Sequence, residues 1–224
     1  VYVYLVAESF LTTTRKRVET FARLYKEKVG LPFWVEARPE SITGDKIALL
    51  NEMGCEGISV GVESGNAELR KNMLGRDIAD KTILRAFELL RETGIRVSAN
   101  NVIGFPTETR EMIFDTIRLD RQVQPDGVMV SFFSPYKGAK LRDLCQQMGY
   151  LKDEDIAMDY RLGPTMDMPQ MSAKELIGVH RTFPLYVKFP EDEWKHIEIA
   201  EHDTPEGNAA FKEYSERYVN EYLS

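Results

Sequence analysis

The sequence contains few cysteines and no long apolar stretch. Only Cys55 and Cys145 occur among its 224 residues, and they lie far apart, so no disulfide framework can be read from them. No apolar run approaches the ~20 residues that a membrane helix needs, and no positively charged segment precedes the first apolar residues. These absences exclude a disulfide-rich secreted domain, and a reducing, cytoplasmic setting is the default prediction.

Basic residues are scarce in the last part of the chain. The whole sequence has 29 Lys and Arg against 36 Asp and Glu, a formal net charge of −7 at pH 7. Residues 190–224 hold ten acidic and three basic residues, which accounts for all of that charge. Because affinity for nucleic acids depends on neutralising phosphates, an acidic tail on a neutral body argues against nucleic acid as the main partner.

Strand-like and helix-like spacings of apolar residues alternate along the first two thirds of the chain. We predict strands at 1–7, 33–37, 57–62, 95–103 and 127–133. We predict helices at 12–28, from 41 or 43 to 53, 67–73, 80–92, 108–123 and 139–148. No two strands are joined by a two-residue hairpin, so the pattern indicates an α/β fold with a parallel sheet, either doubly wound or a barrel.

The number of repeated units limits the architecture. Five strand and helix units are too few for a complete eight-unit barrel, which needs ~250 residues. The chain opens directly on a strand and without Met, so we expect a longer polypeptide with at least one more strand upstream. Beyond residue 151 we predict only helices, at 172–186, 191–201 and 207–223. The prediction is a partial parallel (β/α) barrel at 1–150 and an acidic helical extension at 151–224.

Polar residues stand at the carboxyl ends of the predicted strands, where parallel α/β folds place their binding sites. In chain order they are Glu8, Glu36, Arg38, Glu63, Ser64, Asn100 and Ser134. Alternation puts Trp34, Glu36 and Arg38 on one face of the second strand and apolar residues on the other. We expect the polar face to line a binding cavity. The alternative is an internal Glu36–Arg38–Glu63 ion network that satisfies itself.

Two strand-to-helix turns carry glycine and proline. In the string GFPTE, Gly104 permits close backbone approach, Thr107 can cap the following helix, and Glu108 suits the helix dipole. The string SPYKG follows the fifth strand at 134–138. Each turn taken alone occurs in many folds.

The ordered set of strings resembles the radical S-adenosylmethionine (SAM) superfamily. The strings are GVESG at 61–65, LRKNMLGR at 69–76, VIGFPTET at 102–109 and SPYKGAKL at 134–141. FWVEARPESIT at 33–43 and TFPLYVKFP at 182–190 are similar to strings of B12-binding-type radical SAM proteins, related to the anaerobic bacteriochlorophyll cyclase group. The resemblance covers about residues 1–151 and implies a partial (β/α)6 barrel, of which about five strands are present.

The resemblance implies cofactors. In this family a [4Fe-4S] cluster on a Cys-x3-Cys-x2-Cys loop binds SAM, which is cleaved to a 5′-deoxyadenosyl radical, and some members use cobalamin. The cluster loop is absent from this sequence, so its ligands are expected upstream. Cys55 and Cys145 are interpreted as buried thiols. His180, His196 and His202 are interpreted as packing or surface residues rather than ligands.

The resemblance also implies which residues bind SAM. Glu36 and Glu63 match positions that form hydrogen bonds with the ribose or the amino group of SAM. Glu8 matches a position that holds the amino group of SAM. Arg76 matches the arginine that pairs with the carboxylate. Asn100 matches a position that often carries a polar ribose contact, and Val102 and Gly104 would lie against the adenine. The backbone around Ser134, Pro135 and Tyr136 would meet the adenine edge. Arg38 and Ser64 complete the predicted cofactor-binding set.

The resulting prediction is a fragment of an anaerobic, cytoplasmic radical SAM enzyme that modifies an unknown small molecule. We expect the fragment to be inactive without its cluster ligands, which belong to a missing N-terminal segment. One alternative is a non-catalytic barrel that binds SAM or a nucleoside without a cluster. The other is a tRNA methylthiolase, against which the acidic tail argues.

Overall fold

Strands and helices alternate as predicted in the computed structural model, which describes residues 2–7 and 10–222. The strands are Val3–Leu5 (β1), Phe33–Ala37 (β2), Cys55–Glu63 (β3), Arg96–Ile103 (β4) and Gly127–Phe132 (β5). The α-helices are Arg15–Lys28 (α1), Gly44–Glu52 (α2), Ala67–Asn72 (α3), Asp80–Arg91 (α4), Arg110–Val123 (α5), Lys140–Gln147 (α6), Ala173–Lys188 (α7), Trp194–Ala200 (α8) and Pro205–Tyr222 (α9). Short 3-10 helices lie at Phe10–Thr12, Pro39–Ser41 and Glu191–Glu193.

The five strands form one parallel sheet in the order β1-β2-β3-β4-β5, which confirms the predicted α/β class. Each strand lies beside the next one along the chain. This is the order of a barrel-type winding, since a doubly wound sheet reverses its order at a switch point. Val3 aligns with Phe33, and Trp34 aligns with Gly57 after an irregularity at the start of β2.

Two compact units divide the chain. Unit 1 comprises Val1–Val62, Asp77–Asn100 and Gln122–Met129. Unit 2 comprises Glu63–Arg76, Asn101–Arg121 and Val130–Ser224. The boundary at residue 150 between a barrel and an extension stays a prediction. Within 2–7 and 10–222, no helix combines the length and the apolarity that crossing a membrane demands.

The core of unit 1 follows from alternation along β2 and β3. Val35, Ile58 and Val60 have no exposed surface, and burying each such side chain contributes about 2 kcal/mol. On the opposite face, the indole of Trp34 covers Gly57 so closely that any Cβ at this position would collide with the ring. The polar and apolar faces predicted for β2 are therefore present.

Helix α7 is fixed at both ends within unit 2. The Ser172 hydroxyl accepts a hydrogen bond from the Glu175 N–H at 3.2 Å, and the Glu175 carboxylate accepts one from the Ser172 N–H at 2.9 Å. This capping box satisfies two donors of the first turn. At the other end, Arg121 donates hydrogen bonds to the carbonyls of Tyr186 and Phe189. Carbonyls at the end of a helix have no partner within the helix, so Arg121 supplies one.

Basic side chains hold the acidic C-terminal helices in unit 2. Arg217 lies 2.6 Å from Glu193, and its guanidinium stands over the rings of Phe189 and Tyr214. Tyr214 of α9 is buried and packs edge-on against Phe189. Aromatic packing therefore supports α9, and part of the negative charge of the tail is paired.

The outer edge of β5 is occupied by other parts of unit 2. Because Phe133 N–H donates to Ile103 of β4, the main-chain groups of Val130 and Phe132 point to the opposite side. There Phe132 N–H donates to the Tyr160 carbonyl at 2.9 Å, and His180 Nε2 lies 3.1 Å from the Val130 carbonyl. The His180 ring also stacks on Phe132, and burial lowers the pKa of this histidine.

One helix start lacks a side-chain cap, and one predicted cap is wrong. Thr43 occupies the N-cap position of α2, but its hydroxyl donates to the Asp45 carboxylate instead of accepting from the helix backbone. Helix α5 begins at Arg110, so Thr107 lies outside the cap position, with a φ of +70°. Glu108 also does not act at the helix dipole, since its carboxylate folds back onto the preceding turn.

Candidate functional site

Unit 1 contains Glu36, Arg38 and Asn100 of the predicted residues. Glu36 is half-buried at the end of β2, and the Tyr4 hydroxyl of β1 donates to its carboxylate at 2.9 Å. Arg38 is exposed just beyond the strand. The Asn100 amide oxygen accepts a hydrogen bond from Ser98 at 3.3 Å. The Glu36 carboxylate and the Asn100 amide oxygen can accept hydrogen bonds from hydroxyls or an ammonium group, whereas the Arg38 guanidinium can only donate them.

Glu63 ends β3 in a strained backbone conformation. Its φ is +66°, the left-handed region that residues with a Cβ rarely adopt. The carboxylate lies 3.5 Å from the Arg76 guanidinium, and 14% of the Arg76 side chain and 32% of the Glu63 side chain are exposed. Strained residues cluster at binding sites, where surrounding contacts hold them. Glu63 and Arg76, both predicted to bind ligand, are thus brought together.

The turn after Glu63 is packed tightly against helix α5. Gly65 N–H donates to the Thr116 hydroxyl at 2.8 Å, and the Asn66 amide donates to the Asp115 carboxylate at 2.8 Å. A Cβ on Gly65 would collide with the Asp115 main chain. Asn66 also caps α3 by accepting from the Leu69 N–H. This arrangement fixes the backbone on which Glu63 and Ser64 stand.

Arg70 is a fully buried cation beside the same turn. It has no exposed surface, and its Nη1 donates to the Ser64 carbonyl at 2.8 Å. Its own carbonyl accepts a hydrogen bond from the Arg76 N–H at 2.9 Å. Arg70 therefore contacts the chain next to Glu63 and at Arg76.

The turn after β4 is closed by a buried carboxylate. Gly104 has a φ of +88°, and a Cβ there would lie 2.6 Å from Leu176. Glu108 Oε2 accepts hydrogen bonds from the N–H groups of Gly104 and Phe105 at 2.6 and 3.2 Å. Among the described residues, Oε1 is buried with no hydrogen-bond partner. Burial raises the pKa of Glu108 to about 8, so the group is mostly protonated at neutral pH.

A second buried acid lies on the other face of β4. Asn101 points away from Asn100 and Val102, and its amide donates to Asp120 of α5 at 2.6 Å. Asp120 is fully buried, and this burial raises its pKa to about 7, while the Asn101 hydrogen bond acts in the opposite direction. This hydrogen bond connects β4 to α5, and neither Asn101 nor Asp120 was among the predicted binding residues.

The turn after β5 is held by a buried arginine. Arg142 of α6 is 3% exposed and donates to the Pro135 carbonyl at 3.0 Å and to the Asp155 carbonyl at 2.7 Å. Ser134 donates to the Met158 carbonyl at 2.8 Å, and the Tyr136 side chain is exposed. Arg142 thus fixes the backbone that was predicted to meet an adenine edge.

The predicted residues fall into separate groups. Unit 2 holds Glu63, Ser64, Arg76, Val102, Gly104, Ser134, Pro135 and Tyr136, whereas Glu8 lies outside the described residues. Sequence reasoning missed the residues that hold these groups in place, namely Arg70, Thr116 and Arg142. A buried arginine in a helix gives no distinguishing sequence signal, because most arginines are exposed.

The thiols offer no metal site. Cys55 is buried in β3, and its Sγ donates to the Gly57 carbonyl at 3.3 Å, while Cys145 is buried in α6. Burial raises the pKa of Cys55 to about 12 and that of Cys145 to about 11. Both cysteines are buried, as predicted, and both are therefore neutral thiols. No group of three His, Cys, Asp or Glu side chains in the described part of the chain is placed to hold a metal ion.

The sequence is similar to known enzymes. Residues 11–119 match the family model described as the Radical SAM superfamily. An uncharacterized methyltransferase of Pyrococcus horikoshii is 22% identical over 167 residues, which are 75% of this chain and 35% of the relative. The anaerobic magnesium-protoporphyrin IX monomethyl ester cyclase of Rubrivivax gelatinosus is 26% identical over 149 residues, 65% of this chain and 26% of the cyclase. The chain thus spans about a third or less of each relative.

A solved structure shares the fold. The radical SAM methyltransferase TsrM from Kitasatospora setae, solved with cobalamin and a [4Fe-4S] cluster bound, matches with a TM-score of 0.55 and 18% identity. The match covers 67% of this chain and 31% of TsrM. At this identity the likeness concerns the fold alone.

Proposed function

We propose that the chain belongs to the radical SAM superfamily and is the SAM-binding part of an enzyme that reductively cleaves SAM to a 5′-deoxyadenosyl radical. The observation that carries the proposal is the Glu63–Arg76 pair. A carboxylate next to a guanidinium complements an α-amino acid, which presents an ammonium group and a carboxylate side by side. Both side chains keep some exposed surface, so a ligand can reach them.

Each group of unit 2 has a defined task in this proposal. Glu63 accepts hydrogen bonds from the amino group of SAM, and Arg76 donates a fork of hydrogen bonds to its carboxylate. Gly104 adopts the left-handed conformation of the turn and leaves room for Leu176, and Glu108 holds that main chain in place. The adenine contact of Gly104 stays a prediction. The ligand roles predicted for Glu36, Arg38 and Asn100 stay predictions.

The residues of this chain do not fit the iron-sulfur cluster that the family uses. Such a cluster needs three thiolates, and the sequence holds two cysteines, both buried and neutral. We therefore propose that the cluster ligands belong to sequence outside this chain, and that this chain alone does not cleave SAM. Cobalamin, present in TsrM, is a proposed cofactor of the whole enzyme only.

Binding of SAM and of 5′-methylthioadenosine tests the proposal, because the second compound lacks the amino-acid end. We expect calorimetry to show SAM bound at least ~10-fold more tightly, since charge-assisted contacts serve only SAM. Glu63→Gln should remove most of this preference. Glu68→Gln, at an exposed position of α3, is the matched control. Equal affinities for the two compounds, or no binding of either, would refute the proposal.

Anaerobic reconstitution tests the statement about the cluster. The chain incubated with iron and sulfide should retain no stoichiometric iron, because it lacks a third thiolate. A brown product with four irons per chain would contradict it.

A further inference from the structure

We propose that Arg70 is a positioning residue that holds the Glu63 carboxylate in place for its ligand. The inference rests on the proposed function of Glu63 and adds a residue to it. Arg70 itself is fully buried, so it acts through the backbone and does not touch the ligand.

The first step of the argument is the strain at Glu63. A residue with a Cβ is disfavoured in the left-handed region relative to ordinary backbone conformations. Glu63, with a φ of +66°, keeps this conformation only if the neighbouring residues are held firmly. Without such restraint the backbone would relax to negative φ, and the carboxylate would point elsewhere.

The second step is the position of Arg70. Its guanidinium donates to the carbonyl of Ser64, the residue directly after Glu63, at 2.8 Å. Its main-chain carbonyl accepts from the N–H of Arg76 at 2.9 Å. One residue therefore contacts the backbone on both sides of the Glu63–Arg76 pair, whose charged groups lie 3.5 Å apart.

The third step is the cost of this arrangement. Burying a guanidinium is unfavourable before its hydrogen bonds are counted, and an apolar side chain could fill the same space at a lower cost in free energy. The neighbouring Leu69 is buried in that way. The Ser64 carbonyl accepts a hydrogen bond from the Arg70 guanidinium. This explains the arginine, because an apolar side chain could not provide a directional donor at this position.

The test compares Arg70→Met and Arg70→Lys with wild type and with Lys174→Met, an exposed helical control in unit 2. Lysine keeps the positive charge but replaces the planar guanidinium by a single ammonium group. Arg70→Lys therefore still tests the role of the guanidinium if Arg70→Met does not fold. We expect each Arg70 variant to lower the preference for SAM over 5′-methylthioadenosine by about tenfold, with unchanged affinity for 5′-methylthioadenosine. The control should match wild type.

A second readout needs no ligand. The NMR Cα shift of Glu63 should report a left-handed backbone in wild type and lose that signature in the Arg70 variants. The positioning role is wrong if the shift stays, if the preference for SAM stays, or if both affinities fall together as in general destabilisation. If wild type does not prefer SAM while the Glu63 shift still depends on Arg70, the proposed SAM function fails and Arg70 remains only a backbone anchor.

Discussion

Replacing Glu108 by glutamine should change how the stability of the protein depends on pH. The carboxylate is fully buried, and its Oε2 accepts two backbone hydrogen bonds in the turn after β4. Glutamine has nearly the same shape, and its amide oxygen can accept the same two bonds. The variant removes the proton equilibrium and leaves the contacts of the turn in place.

The magnitude follows from the raised pKa of Glu108, about 8 against an ordinary value of 4.5. Between these values the folded state holds a proton that the unfolded state has released. The stabilisation is therefore complete below pH 4.5 and is lost as the pH rises through 8. Integrated from pH ~5.5 to ~8, the loss assigned to Glu108 is about 3 kcal/mol.

Urea unfolding at both pH values measures this loss. Glu108→Gln should match wild type within about 1 kcal/mol at pH ~5.5 and exceed it by about 3 kcal/mol at pH ~8. Glu111→Gln removes a charge from an exposed position of the same helix and is the matched control. The reasoning is refuted if wild type and Glu108→Gln lose the same free energy between the two pH values, or if the control behaves like Glu108→Gln.

Three further substitutions have expected outcomes. The raised pKa of Asp120, about 7, makes wild type lose stability as the pH rises. The free energy of unfolding of Asp120→Asn relative to that of wild type, measured in urea, should therefore increase by about 2 kcal/mol from pH ~5.5 to pH ~8. An unchanged pH slope would contradict this. Gly65→Ala should lower the free energy of unfolding by about 1–3 kcal/mol through its collision with Asp115, whereas Gly44→Ala, with open space around it, should not. Glu201→Gln should lower the free energy of unfolding by about 1–3 kcal/mol, and with it the thermal midpoint, because it weakens the hydrogen bonds with Arg110 and Tyr186. Glu198→Gln, at an exposed position, should leave both unchanged.

The strands were predictable because alternation is a local property. The predicted span of β2 agrees with the structure residue for residue, and those of β4 and β5 agree within one residue. β1 is shorter than predicted, Val3–Leu5 within 1–7, and β3 is longer, since it starts at Cys55 and ends at Glu63. Strand ends depend on pairing with neighbours, which a pattern of apolar residues does not contain.

Caps and turns were harder to predict because one side chain has several possible partners. Thr107 and Glu108 have the composition of a helix start, yet the Glu108 carboxylate satisfies the N–H groups of the turn before the helix. The strings around Glu63 and Gly104 located parts of the candidate site through resemblance. The buried groups that hold them, Arg70 and Thr116, depend on long-range packing and could not be found from local sequence.

The covered edge of β5 bears on how the protein avoids aggregation. A strand at the end of a sheet exposes main-chain donors and acceptors that can pair with a strand of another molecule. Here the Phe132 N–H is taken by Tyr160, and the Val130 carbonyl is met by His180. A change that detached the segment around Tyr160 would free these groups, so intermolecular strand pairing is the expected failure of a destabilised variant, before global unfolding sets in.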